Sequence, residues 1–149
     1  MPGALLILPA TLDSIGAIGD YLVAAAAEAG LERRDAYRLR LAIDELATNV
    51  IVHGYQENGL TGDLVIGADS RPGAVVVTVE DGAPAFDPRS REMPVPGELD
   101  PPLEDPDIGG LGVFLAIKSV EEFRYERRGD RNVTTIEVRH RPEETPQAG

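Results

Sequence analysis

The chain has no cysteine among its 149 residues, which excludes disulfides, thiolate catalysis and cysteine-bound zinc and suits a reducing cytoplasm. Basic side chains are scarce as well. Only 14 Lys and Arg stand against 26 Asp and Glu, a formal net charge of -12, so a nucleic-acid backbone is repelled in the absence of a local basic patch, and none occurs. No direct nucleic-acid partner is expected. No apolar run approaches the roughly 20 residues that span a bilayer, and the run Leu5 to Leu8 lacks a cationic lead-in, so neither a membrane span nor a signal peptide is expected. There is no Gly-Lys-Ser or Gly-Lys-Thr, hence no Walker loop, and a G-x-G-x-x-G pattern fails where Leu115 holds its final position. The expectation is one cytoplasmic domain, long enough to hide roughly two thirds of its unfolded surface.

Hydrophobic periodicity gives the order of elements. Residues 4–10 read as a short strand, and Asp13 or Ser14 is placed to cap a helix running to about Ala29, closed by Gly30. A second helix starts near Arg33 and ends around Tyr55, before the turn pair Asn58-Gly59. Val-rich and Ile-rich strands follow at 63–68 and 74–80 around the turn Arg71-Pro72-Gly73. Residues 87–107 hold six of the twelve prolines beside seven acidic residues, with no hydrophobic period. A loop of that length in a compact domain reads as a lid over a site, here about 87–108. An apolar helix, 113–120, comes next, then a hairpin of strands 123–127 and 133–139 around Gly129 to Asn132, and a tail at 141–149. The sum is an α+β fold, a two-layer sandwich of mostly antiparallel sheet with helices on one face.

Four constellations carry chemistry. At 100° per residue, Leu39, Ile43, Leu46 and Val50 form an apolar stripe on the second helix, and Glu45, Asn49 and His53 form a polar row about 90° away, at the border of the packed face. A carboxylate there can take a proton from a hydroxyl, and an amide oxygen beside it can serve a hard cation such as magnesium. Taken alone, the row reads as well as a solvated helix flank, with His53 a partly buried hydrogen-bonding residue. Asp81 ends a strand, where its carboxylate can accept a hydrogen bond from an exocyclic amine, a group that adenine has and guanine replaces with a carbonyl; by itself it is better read as supporting its own turn. Gly109, Gly110 and Gly112 sit where a loop becomes a helix, so backbone N–H groups and the positive helix end can face a phosphate, although a glycine cluster at a helix mouth also serves as a hinge. Finally, Thr134 and Thr135 alternate on the last strand, and only one can face inward.

The order of these features resembles a known family. Residues 42–55, Ala-Ile-Asp-Glu-Leu-Ala-Thr-Asn-Val-Ile-Val-His-Gly-Tyr, resemble the N box of GHKL-type ATPases. Residues 79–88, Val-Glu-Asp-Gly-Ala-Pro-Ala-Phe-Asp-Pro, are similar to their first glycine box, and residues 109–118 to their second. Within that superfamily, Phe86-Asp87-Pro88 and the run from Tyr125 to Asn132 are similar to the anti-sigma-factor serine/threonine-protein kinases of partner-switching systems. The resemblance covers roughly residues 5 to 140.

It implies a GHKL/histidine-kinase-like ATPase fold, a single ATP-binding kinase domain over 1–140, and ATP and Mg2+ as cofactors. Glu45 is then the general base, Asn49 the magnesium ligand and Asp81 the reader of adenine, with Gly110 and Gly112 cradling phosphates. The full nucleotide-binding set is Asn49, Asp81, Ala83, Gly109, Gly110, Leu111, Gly112 and, of the two threonines, Thr135. Implied partners are an anti-sigma-factor antagonist, which is phosphorylated, and a sigma factor, which is sequestered; a homodimer is one assembly open to such a chain. The family usually has Asp-x-Gly in the first glycine box, and Ala83 holds the glycine's place here. A methyl group there would crowd the nucleotide or forbid a positive φ. This leaves as alternative a non-catalytic nucleotide-binding anti-sigma or adaptor module of the same fold. The sequence has no dimerisation helix with a phosphoacceptor histidine, so a complete sensor histidine kinase is not expected.

Overall fold

Alternating Val, Ile and Leu build the sheet. The computed structural model describes residues 5–85 and 116–140. Strands β1 (Leu6–Pro9), β2 (Asp63–Arg71), β3 (Ala74–Asp81), β4 (Glu122–Arg128) and β5 (Arg131–Arg139) form one sheet in the order β1-β2-β3-β5-β4. Every neighbouring pair is antiparallel. Helices α1 (Ile15–Ala29) and α2 (Arg33–Asn49) pack on one face, α1 against β2 and β3 and α2 against β5. The expected α+β, two-layer, antiparallel architecture is the observed one.

Inward-facing Leu64, Ile66, Val75, Val77, Ile136 and Val138 meet Ile18, Leu22, Leu39, Ile43 and Leu46 from the helices. Burying each such side chain stabilises the fold by about 1.5–3 kcal/mol. The apolar stripe read from α2 is this contact: Leu39, Ile43, Leu46 and Val50 are all buried. Among the described residues no helix is long and apolar enough to cross a membrane.

Helix ends follow local chemistry, with two differences from the sequence expectation. Gly30 closes α1 with φ +72°, and Leu31 N–H donates to Ala26 O at 3.0 Å, the bond that satisfies an orphan carbonyl at a left-handed helix end. Ser14 precedes α1 but does not cap it. It already has helical dihedrals, and its hydroxyl donates back to Pro9 O at 2.7 Å, fastening β1 to the helix entry. The helix from Arg33 continues to Tyr55 as expected, but its winding widens to a π-helix over Val50–Tyr55. β2 extends to Arg71, beyond the expected 68, because Pro72 and Gly73 (φ +76°) close a tight turn that pairs Arg71 with Ala74.

The last hairpin also differs. Its turn is two residues, Gly129 and Asp130, rather than the four from 129 to 132, and Arg128 pairs with Arg131 across it. Gly129, at φ +59°, permits so short a connection. Asn132 is therefore inside a strand. Residues 116–119 are helical, the end of the helix expected at 113–120. The expected lid at 87–108, the glycines at 109, 110 and 112, Leu111, and the tail at 141–149 lie outside the described residues.

α2 spans the molecule from one end of the sheet to the other. At its start Arg38 donates to Arg139 O at 2.9 Å and to Ser119 O at 2.5 Å, and pairs with Asp35 and Glu121. Its far end reaches Asn49, beside the end of β3.

Candidate nucleotide site

Strand alternation brings the site together. From Val75, Val77 and Val79 the period of two carries Asp81 onto the helix-covered face, and from Val138 and Ile136 it carries Thr134 and Asn132 there. Opposite them stand Asn49, Val50 and Gly54, on the last turn of α2 and its π-wound continuation. These residues, with Ala83 and Pro84, line one pocket. Asn49 and Asp81, expected to share a site, thus line the same small cavity, of about 10 Å³, with only 6% and 2% of each exposed.

Asp81 is held firmly. Its Oδ1 accepts from Ala83 N–H at 2.9 Å and from Asn132 Nδ2 at 2.8 Å. Burial raises its pKa above the usual carboxylate value, opposed by the Asn132 and Ala83 hydrogen bonds and by the Arg131 and Arg127 charges. Asp81 supports its own turn through Ala83 N–H, as one reading of the sequence expects, and it also lines the pocket.

The loop after Asp81 is clamped from two sides. Tyr55 OH accepts from Gly82 N–H at 2.6 Å and donates to Asp63 O at 3.1 Å, tying the end of the π-helix to β2 and β3. On the other side Arg127 Nη1 donates to Ala83 O at 3.0 Å. Beside this clamp opens a polar groove of about 410 Å³ walled by Tyr55, Gly82, Pro84, Arg127 and Arg131.

Ala83 is 2% exposed, in the pocket wall. A Cβ at position 54 would stand 3.0 Å from the Ala83 methyl, so the missing side chain at Gly54 makes the room that the extra methyl at position 83 takes. Two small residues meet where a larger pair would clash.

Glu45 lies one helical turn before Asn49 on the same side of α2 and is half-buried, but is not among the residues lining the pocket. His53 pairs with Glu57 at 2.9 Å, the hydrogen-bonding role expected of it. Thr135, placed in the nucleotide set from sequence, is turned the other way. The β3 ladder sets it opposite Thr78 on the face away from the helices, and Thr134, 3% exposed, lines the pocket instead. The choice between them was decided by register, which is fixed by where the hairpin turns. Gly109, Gly110, Leu111 and Gly112 are not placed, being outside the described residues.

Asn132, Tyr125, Arg127, Tyr55 and Gly54 complete the site and were not found from sequence as site residues. A signal for Asn132 exists: counting back by twos from Val138 through Ile136 and Thr134 reaches it. Reading residues 129–132 as a turn concealed it.

As a set, these residues offer a buried hydrogen-bond acceptor for a base and a carboxamide oxygen for a hydrated cation or polar ligand. The serine-protein kinase RsbW of Staphylococcus aureus strain NCTC 8325 is 25% identical over 116 residues, which is 77% of this chain and 73% of that protein. Among solved structures, the RsbU and RsbW domains of Rv1364c from Mycobacterium tuberculosis superpose with a TM-score of 0.61 at 20% identity, covering 93% of this chain. This chain spans 32% of that one. The blue-light activated histidine kinase EL346 of Erythrobacter litoralis gives a TM-score of 0.50 at 17% identity over 83% of this chain and 41% of that one. The histidine kinase-like ATPase domain family matches residues 8–138. With the antiparallel sheet, the two covering helices and a pocket between Asn49 and Asp81, the chain belongs to the histidine kinase-like ATPase domain family.

Proposed function

We propose that this chain binds Mg-ATP and transfers the γ-phosphoryl group to a serine or threonine hydroxyl of an anti-sigma-factor antagonist, and that it sequesters a sigma factor when not bound to that antagonist. The observation that carries the reading is the meeting of Asn49 and Asp81 in one buried pocket. The similarity to RsbW supports the choice of protein phosphotransfer within the family.

In this reading Asp81 accepts a hydrogen bond from the 6-amino group of adenine, which guanine cannot supply. The Asn49 side-chain oxygen is of the donor type that suits magnesium, a hard cation that keeps much of its water, and bound magnesium supplies charge neutralisation on the phosphates. Gly110 and Gly112 offer backbone N–H groups to the phosphates. Glu45, a turn before Asn49, takes the hydroxyl proton as the substrate oxygen bonds to the γ-phosphorus and the bridging oxygen leaves with ADP. The product gains up to about two negative charges at neutral pH. On a docking surface facing a chain of net charge -12, that added charge drives the partners apart and frees this protein for the sigma factor.

The test is radiolabelled ATP with the cognate antagonist. Wild type labels the antagonist, and Glu45→Ala slows labelling by about 100-fold or more while ATP still binds. Unchanged labelling by Glu45→Ala removes Glu45 from the chemistry. Ala83 in the pocket wall favours one second reading, a sequestering module without transfer, which predicts no labelling by wild type.

A further inference from the structure

The Asn132 carboxamide hydrogen-bonds at both of its ends to five groups of the described residues, and no role assigned so far requires it. β5 sets it opposite Asp81 in one ladder and opposite Arg127 in the other, with 4% exposed. Its Nδ2 lies 2.8 Å from Asp81 Oδ1, 3.1 Å from Ala83 O and 3.1 Å from Pro84 O. Its Oδ1 accepts from Tyr125 OH at 2.5 Å and from Arg127 Nη1 at 3.2 Å.

Three acceptors at one end and two donors at the other leave the amide one orientation, since reversal would set its carbonyl oxygen against a carboxylate and two carbonyls. Arg127 Nη1 and Asn132 Nδ2 also share Ala83 O, so the same pair fixes the loop after Asp81. Both hydrogen bonds that Asp81 accepts among the described residues fall on Oδ1. Two bonds on one oxygen fix the carboxylate's rotation and leave the lone pairs of Oδ2 to a ligand.

We infer that Asn132, itself oriented by Tyr125 and Arg127, is a positioning residue for base recognition: it anchors Asp81 Oδ1 so that Oδ2 meets the exocyclic amine of adenine, and thereby sets the pocket's preference for a purine with a 6-amino group. This rests on the nucleotide reading given above. It adds that the preference is written in β4 and β5, not only in the carboxylate that touches the base.

The experiment compares dissociation constants for ATP and for purine riboside triphosphate, which lacks the 6-amino group, in wild type, Asn132→Ala and Tyr125→Phe. Wild type prefers ATP by about tenfold or more, the worth of a hydrogen bond to a charged acceptor. Asn132→Ala loses about tenfold in ATP affinity and stays within about twofold for the amine-free analogue; Tyr125→Phe moves the same way by less. Should Asn132→Ala fail to fold, Tyr125→Phe, which keeps the ring, carries the test. Equal losses for both ligands mean general loosening and overturn the inference, as does an unchanged ATP preference in both variants. Wild type binding neither triphosphate overturns the nucleotide reading and this inference together, whereas variants that keep the wild-type preference overturn the inference alone.

Discussion

At the scale of single residues, Asp81 bears the sharpest conflict between stability and binding. Its folded-state pKa is raised by burial, so its contribution to stability is greatest below the ordinary carboxylate pKa and is lost as pH rises through the raised value. An asparagine in its place can keep both contacts, its side-chain oxygen accepting from Ala83 N–H and Asn132 Nδ2, without the cost of a buried charge. Asp81→Asn is therefore expected to gain stability relative to wild type as pH rises from 4 to 7, read by urea denaturation at several pH values. The same variant presents an N–H2 group to the base amine and loses ATP affinity by about tenfold or more. A variant less stable than wild type at neutral pH would show that the ionised carboxylate is favoured where it stands. Asn132 and Thr134 teach a related point about legibility. Glu45, Asn49 and Asp81 stood out because an acid or amide breaking an apolar pattern is conspicuous. Asn132 sits next to a Gly-Asp pair, where asparagine is unremarkable, and only the position of the turn tells that it is in a strand.

At the scale of elements, α2 joins two polar clusters at opposite ends of the sheet. Its far end makes the pocket, and its first turns carry Asp35, which is fully buried and engages Arg38 at 2.9 Å and His140 Nδ1 at 3.1 Å. Arg38 reaches on to Glu121 and to the carbonyls of Ser119 and Arg139, so one guanidinium fastens α2 to the segment just before β4 and to the end of β5. Removing it leaves a carboxylate with no exposure short of its main cation. Arg38→Ala is expected to cost about 3 kcal/mol, near the lower range for breaking a buried pair, measured as a lowered midpoint of urea unfolding. A loss under about 1 kcal/mol would mean that the cluster is as weak as a surface pair. The existence of most elements was legible because their periods are strong: 3.6 in α2, two in β2 and β3. Boundaries were not, since the π-wound stretch at Val50–Tyr55 keeps the helix's composition while changing its winding, and the extra length of β2 depends on a turn geometry set by Pro72 and Gly73. That change of winding follows directly on Asn49, and it sets Gly54 against Ala83 and Tyr55 OH against Gly82 N–H.

At the scale of the whole molecule, the net charge of -12 opposes the approach of any nucleotide, so binding must come from local, short-range geometry rather than from the long-range field. The described part of the site holds a small pocket with Asn49 at one wall, Asp81 at the other, and Arg127 and Arg131 close to Asp81, the local geometry on which the proposed binding would rest. On the function proposed above, magnesium would matter more under these conditions, because it would cancel phosphate charge before the ligand meets an acidic protein. The measurement that tests the account most directly is calorimetric titration of the wild-type protein with ATP, with magnesium and then with excess EDTA. The account predicts saturable one-site heat with magnesium, a rise in melting temperature that grows with ATP concentration, and a marked weakening once the metal is removed. No heat and no thermal shift at millimolar Mg-ATP would contradict it.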